Sequence, residues 1–146
     1  MIREARSSDI PEIMELWLSA NLQAHSFVPD HYWTDHYNLV KEMLPQAKLY
    51  VWEAEDSGKI LGFIGLDGTY IAGIFILDGA RSQGIGAGLI RHVKSLKDHL
   101  SLKVYEKNQR AVAFYKREGF QIQSESLDSD TGEREYCMVW GGQAPA

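Results

Sequence analysis

The sequence predicts a mixed α/β domain: a mostly antiparallel sheet of about six to seven strands with one parallel pair, flanked by about four helices. Three observations predict it. Strand-like runs are separated by tight turn signals, Asp56-Ser57-Gly58-Lys59 and Asp67-Gly68, as in an antiparallel meander. The apolar run Ile71–Leu77 is followed by a helical pattern and a further strand, Leu100–Tyr105. A strand–helix–strand order needs a crossover, so these two strands run parallel. Four segments repeat apolar residues at helical spacing.

Taken in order, Ile2–Ala5 reads as a short first strand. Ser7-Ser8-Asp9 supplies helix-start chemistry, Pro11 is tolerated in the first turn, and Ile13, Leu16, Trp17 and Ala20 recur at helical spacing. Asn21 to Asp30 reads as a loop carrying His25, Phe27 and Pro29. Pro29-Asp30 opens a second helical pattern with Tyr32, Trp33, His36, Tyr37, Val40 and Met43, which Pro45 ends. Leu49–Glu53, Ile60–Leu66 and Thr69–Leu77 form the meander. Ile85, Leu89, Val93 and Leu96 mark the inner stripe of a third helix. Leu100, Leu102 and Val104 share one face of the next strand, with Lys103 and Tyr105 on the other. A fourth helix runs from Asn108 to Glu118. Asp130-Thr131-Gly132-Glu133 turns a last hairpin into the strand Glu135–Trp140, and Gly141–Ala146 is a tail.

A chain of 146 residues makes one domain, 1–146, with a single sizeable core. Hydrophobic content of 45% and charged content of 24% are those of a soluble globule. No apolar run approaches a membrane span and no basic-then-apolar leader precedes the first strand, so the expected location is the cytoplasm, away from membranes. The one cysteine, Cys137, has no internal partner, and its alternating apolar strand makes it a buried structural thiol rather than a nucleophile. The net charge of −5 conceals a division. Between Arg81 and Arg117, nine Lys/Arg face only Asp98 and Glu106, a balance of +7, so the remainder carries −12. A basic stretch suits a polyanionic ligand and an acidic remainder favours a cationic one, while nothing marks a nucleic-acid surface.

Within the basic stretch lies Arg81-Ser82-Gln83-Gly84-Ile85-Gly86-Ala87-Gly88, where a loop becomes a helix. The first N–H groups of a helix are unpaired and can face an anion. Without Cβ at Gly84 and Gly86, a phosphate can approach the backbone closely. A dinucleotide fold is the rival, but position 89 is Leu89 instead of a third glycine, and Asp78–Gln83 separate the run from its strand.

Arg81-x-x-Gly84-x-Gly86 resembles the Arg/Gln-x-x-Gly-x-Gly/Ala signature of the GNAT superfamily of acyl-CoA-dependent N-acetyltransferases. Asn108-x-x-Ala111-x-x-Phe114-Tyr115-x-x-x-Gly119-Phe120 resembles its second conserved block, in the right order and at the right separation. The likeness spans nearly the whole chain. Leu16-Trp17, His25-x-Phe27 and Tyr32-Trp33 look most like the enterobacterial YiaC-type group. The resemblance implies the GNAT fold, whose two parallel strands splay, and acetyl-CoA (coenzyme A) held between them. Ile74 and Ile76 are then the expected backbone partners of pantetheine. Ser82, Gln83, Gly84, Ile85, Gly86 and Ala87 would hold the pyrophosphate through main-chain amides, and Asn108 would bond the cofactor by its side chain. The expected partners are acetyl-CoA and an amine acceptor, a protein lysine or N-terminus or a small molecule, in a chain acting as monomer or homodimer.

Acetyl transfer from a thioester to an amine needs a neutral amine, stabilisation of the developing oxyanion, and departure of a thiolate. Tyr115 stands where the family places its general acid, and a phenol stays protonated at neutral pH. Spacing alone would favour packing beside Phe114; it is the flanking Asn108, Ala111 and Gly119-Phe120 that favour the acid. His25, Phe27, Tyr32 and Tyr70 are candidates for the acceptor pocket, although a lone His in an aromatic loop is more often structural. Relatives that modify protein N-termini often carry a Glu base on the strand before the second block, where this chain has Lys103. A lysine is no base at neutral pH unless its pKa is much lowered. Either Glu106, three residues on, substitutes, or water relays the proton. No metal cluster or nucleophilic cysteine supports another route. A module that binds acyl-CoA without turning it over is the alternative of a different class, and Tyr115 argues against it.

Overall fold

The computed structural model describes residues 1–81 and 83–142. Seven strands, β1 (Ile2–Glu4), β2 (Lys48–Glu53), β3 (Ile60–Asp67), β4 (Tyr70–Ile76), β5 (His99–Tyr105), β6 (Gln121–Leu127) and β7 (Arg134–Gly141), form one sheet in the order β1-β2-β3-β4-β5-β7-β6. Helices α1 (Ile10–Ala24) and α2 (Asp30–Met43) cover one face, and α3 (Ile85–Leu96) and α4 (Gln109–Arg117) cover the other. Every pairing is antiparallel except β4 with β5. This is the mixed fold the sequence predicts.

Strand alternation builds two cores. Leu49, Val51 and Phe63 point to α1 and α2, where they meet Ile13, Met14 and Trp17. Ile64, Leu66, Leu100 and Leu102 point to α3 and α4, against Leu89, Ile90, Val93 and Phe120. Three local differences from the sequence reading have physical causes. Helix α1 continues through Ala24, because Asn21 is buried and its amide Nδ2 donates to the Trp17 carbonyl at 2.9 Å. Leu96, expected in the inner stripe, is 49% exposed because α3 ends there. Cys137, expected buried, is half-buried, since its face of β7 is only partly covered. Of the expected tail, Gly141 ends β7, while residues 143–146 lie outside the described residues.

The parallel pair creates the opening. β4 and β5 are in register only at Tyr70–Ser101 and Ile71–Leu102. The next residue, Ala72, is the extra one of a bulge, because Gly65 pairs Gly73 whereas Leu66 pairs Ile71. A bulge bends its strand and ends regular pairing. Beyond it β4 stays bonded to β3 and leaves β5. The Leu77 N–H donates to the Leu61 carbonyl at 2.8 Å, so by alternation the peptide groups of Ile74 and Ile76 turn to the vacated edge.

Candidate active site

A cleft of about 630 Å³ occupies the divergence. Of the residues expected from sequence, Ile74, Ile76, Gly84, Ile85, Gly86, Ala87, Asn108, Tyr115, His25 and Tyr70 line it. Gln83, Phe27, Tyr32 and Glu106 do not, and Ser82 lies outside the described residues.

One wall is the start of α3. Gly84 adopts φ +78°, the left-handed conformation that suits glycine, and turns the loop into the helix. The first helical bond runs from the Gly88 N–H to the Gly84 carbonyl at 2.9 Å. The amides of Ile85, Gly86 and Ala87 therefore precede the ladder, and among the described residues no side chain caps them. At Gly86 a Cβ would sit 3.2 Å from Phe114 Cζ, so this glycine also lets α4 approach α3. Arg110 and Arg117 flank Phe114 on α4 at helical spacing, and both line the cleft with Arg81.

Tyr115 is buried against Phe114 and Phe120, with ring centroids 5.3 and 5.8 Å away. Burial pushes its phenol well above the ordinary range, helped by Tyr70. The group is a neutral hydrogen-bond donor at any ordinary pH.

Opposite, α1 meets α4 through a chain of hydrogen bonds. Asn108 caps α4 by accepting from the Ala111 N–H at 3.3 Å, and its Nδ2 donates to His25 Nε2 at 3.2 Å. His25 Nδ1 in turn donates to Asn21 Oδ1 at 3.0 Å. Because Asn21 Nδ2 is committed to Trp17, and Asn108 Oδ1 to the cap, both amides fix the imidazole as its Nδ1–H tautomer. Burial lowers the His25 pKa to about 4. Trp33 stacks on the ring at 5.3 Å, and Tyr105 and Phe27 approach edge-on at 5.1 and 5.6 Å. Phe27 is thus a second layer behind His25. Tyr32 reaches outward, donating to Asp130 at 3.4 Å, and its pKa is raised to about 12, first by desolvation and then by Asp128 and Asp130.

Glu106, an expected base, is not in the cleft. The chain turns after β5, the Glu106 N–H donates to the Arg134 carbonyl at 2.9 Å, and its carboxylate lies 3.6 Å from Arg134 Nε. Lys103 does line the cleft, 4.0 Å from Glu135, which lines it too. Sequence reasoning missed Glu135. Its signal was a charged residue opening an apolar strand, but placing it needs the β5–β7 register, in which Tyr105 faces Glu135.

Residues 10–120 match the model of the acetyltransferase (GNAT) family. The chain is 39% identical, over 96% of its length and 96% of the relative's, to peptidyl-lysine N-acetyltransferase YiaC of Escherichia coli strain K12. It is 32% identical to peptidyl-lysine N-acetyltransferase YjaB of the same strain, over 90% of this chain and 89% of that one. The solution structure of apo-form YjaB superposes with a TM-score of 0.86 at 30% identity, covering 98% of each chain. Naa20 of Chaetomium thermophilum, in complex with a bisubstrate analogue, shares the fold: TM-score 0.68, 20% identity, 97% of this chain and 86% of that one.

Proposed function

Because the chain belongs to the acetyltransferase (GNAT) family, we propose that it moves an acetyl group from acetyl-CoA to the ε-amine of a protein lysine. The amine attacks directly, with both substrates bound at once. The observation that carries this reading is the divergence of β4 from β5 around a cleft that holds both a glycine-led helix start and a buried phenol.

The residues fit acetyl-CoA. The amides of Ile85, Gly86 and Ala87, with Arg81, Arg110 and Arg117 nearby, would receive the pyrophosphate. A Cβ at Gly84 would meet nothing within 4 Å, so the approach is open. The unpaired peptide groups of Ile74 and Ile76 would bond the pantetheine arm as an added strand would. When bound, acetyl-CoA supplies an acyl group activated as a thioester. Tyr115 would donate a hydrogen bond to the departing sulfur. Its raised pKa favours stabilising the thiolate by that bond over surrendering the proton outright. Asn108 keeps Nδ2 on His25, so its part is to hold α4 in place.

Two features support a lysine acceptor: the names of the two E. coli relatives, and the carboxylate of Glu135 in the cleft. Glu135, with Asp128 and Asp130 outside the lining on Tyr105 and Tyr32, would draw an ammonium group. Thiol release from acetyl-CoA with a panel of lysine peptides, free amines and N-terminal peptides tests the reaction. Lysine peptides should react fastest, and a panel without turnover leaves the acyl-CoA-binding module in its place. Tyr115→Phe should keep acetyl-CoA affinity and lower kcat roughly 10²- to 10⁴-fold, the usual contribution of a positioned proton donor. An unchanged kcat would make Tyr115 a packing residue.

A further inference from the structure

We propose that Glu135 is the group that takes the proton from the acceptor ammonium. The inference rests on the acetyl-transfer reading above and assigns the base that reading lacks.

Its position is set by the sheet. Glu135 opens β7 and pairs across from Tyr105 of β5, diagonal to Lys103. Tyr70 of β4, paired with Ser101 two residues before Lys103, occupies the same face. Tyr70, Lys103 and Glu135 therefore form a row across three strands, at the level where β4 and β5 part, and all three line the cleft. The Glu135 side chain retains 15% exposure, and its closest cation, Lys103 Nζ, stands at 4.0 Å, the limit of an ion pair. A carboxylate so placed is neither free in solvent nor fully neutralised.

The groups around it are Lys103 and Tyr105 on β5, Tyr70 on β4, Tyr32 on α2, Cys137 on β7 and Asp128 after β6. Burial and the Asp128 charge raise the Glu135 pKa, and Lys103 opposes them. A raised carboxyl is a better base for work near neutral pH. The charge of Glu135 in turn helps to hold the Tyr70 phenol protonated.

The protons balance. One ammonium proton passes to the Glu135 carboxylate and frees the nitrogen lone pair. The C–N bond forms and the C–S bond breaks, its electron pair leaving on sulfur. The second nitrogen proton goes to the thiolate with Tyr115 bonded to it, and Glu135 returns its own proton to solvent. Lys103 keeps the carboxylate ionised at rest.

The test is Glu135→Gln, nearly the same shape, assayed with acetyl-CoA and two acceptors: a lysine peptide, and an amine of pKa low enough to be neutral at pH 7. With the lysine peptide, kcat/KM should fall roughly 10²-fold or more at neutral pH and recover as pH approaches the lysine pKa. With the low-pKa amine the loss should be small. Acetyl-CoA affinity and melting temperature should match wild type. An unaltered pH–rate profile overturns the assignment. So does an equal loss for both amines at every pH, which would mark Glu135 as shaping the cleft. A wild-type chain that releases no thiol with any amine overturns the acetyl-transfer reading itself, and this assignment with it.

Discussion

His25 shows how one side chain ties the two helical layers together and gives the protein an acid limit. Its ring accepts from Asn108 on Nε2 and donates to Asn21 on Nδ1, so a second ring proton would face another donor. The folded pKa is about 4 against 6.5 unfolded, so the unfolded chain binds more protons between those values. Stability is therefore full above about pH 6.5 and declines as pH falls to about 4, with a ceiling of about 3 kcal/mol. Glu135, whose pKa is raised, acts with the opposite sign just above its ordinary 4.5, while Asp9 and Asp128, both lowered, act only below 3.8. Urea unfolding of wild type and His25→Gln at several pH values from 7 to 4 isolates the histidine. The wild-type curve should fall through the window and that of the variant should be flatter. Parallel curves would remove His25 as the cause. The sequence marks His25 as a residue to watch, because it sits among aromatics. Its partner Asn108 lies 83 positions on, and no local pattern joins them.

Helices α3 and α4 act as a pair, and Gly86 is where they touch. Sequence reasoning explains this glycine by close approach of a phosphate. The structure adds a second reason, since a Cβ there would press on Phe114 at 3.2 and 3.3 Å. The two reasons predict different rescues. Gly86→Val should weaken acetyl-CoA binding more than tenfold, about 1.4 kcal/mol. Adding Phe114→Ala vacates the packing space. If close approach of phosphate is what matters, affinity stays low in the double variant. If helix packing is what matters, affinity returns most of the way. Calorimetry on the three proteins, each checked for cooperative melting, separates the cases. Both helices are legible in the sequence because their apolar stripes keep strict spacing and their ends carry Asn108 and Gly84. The end of α1 is not, because Asn21 looks like a loop residue until its buried bond to the Trp17 carbonyl is seen. The order of the last two strands is hidden for a related reason. Either arm of the Asp128–Arg134 hairpin could neighbour β5 by its own pattern, and only because β7 does so is Glu135 brought into the cleft.

Across the whole molecule, the charge division of the sequence becomes a division of the cleft. The basic stretch contributes Arg81, Arg110 and Arg117 to the lining, and the acidic remainder contributes Glu135, while Asp128 and Asp130 stand outside the lining on Tyr105 and Tyr32. Under the proposed function, acetyl-CoA would meet the arginines and the acceptor the Glu135 end, each a field of opposite sign to its own. Arg110 and Arg117 are exposed, and each should then contribute modestly, up to about 1 kcal/mol or roughly fivefold in affinity. Arg110→Glu and Arg117→Glu should weaken acetyl-CoA binding and leave KM for a lysine peptide nearly unchanged. Asp130→Lys at the other end should raise that KM and spare acetyl-CoA. Salt provides the control. Between about 0.05 M and about 0.5 M the screening length shrinks from roughly 14 to roughly 4 Å, which should erase most of each effect. If Arg110→Glu shifted both substrates alike, the two ends of the cleft would share one field. The attraction of the lysine would then have to come from contacts such as Glu135 rather than from the charge of the hairpin as a whole.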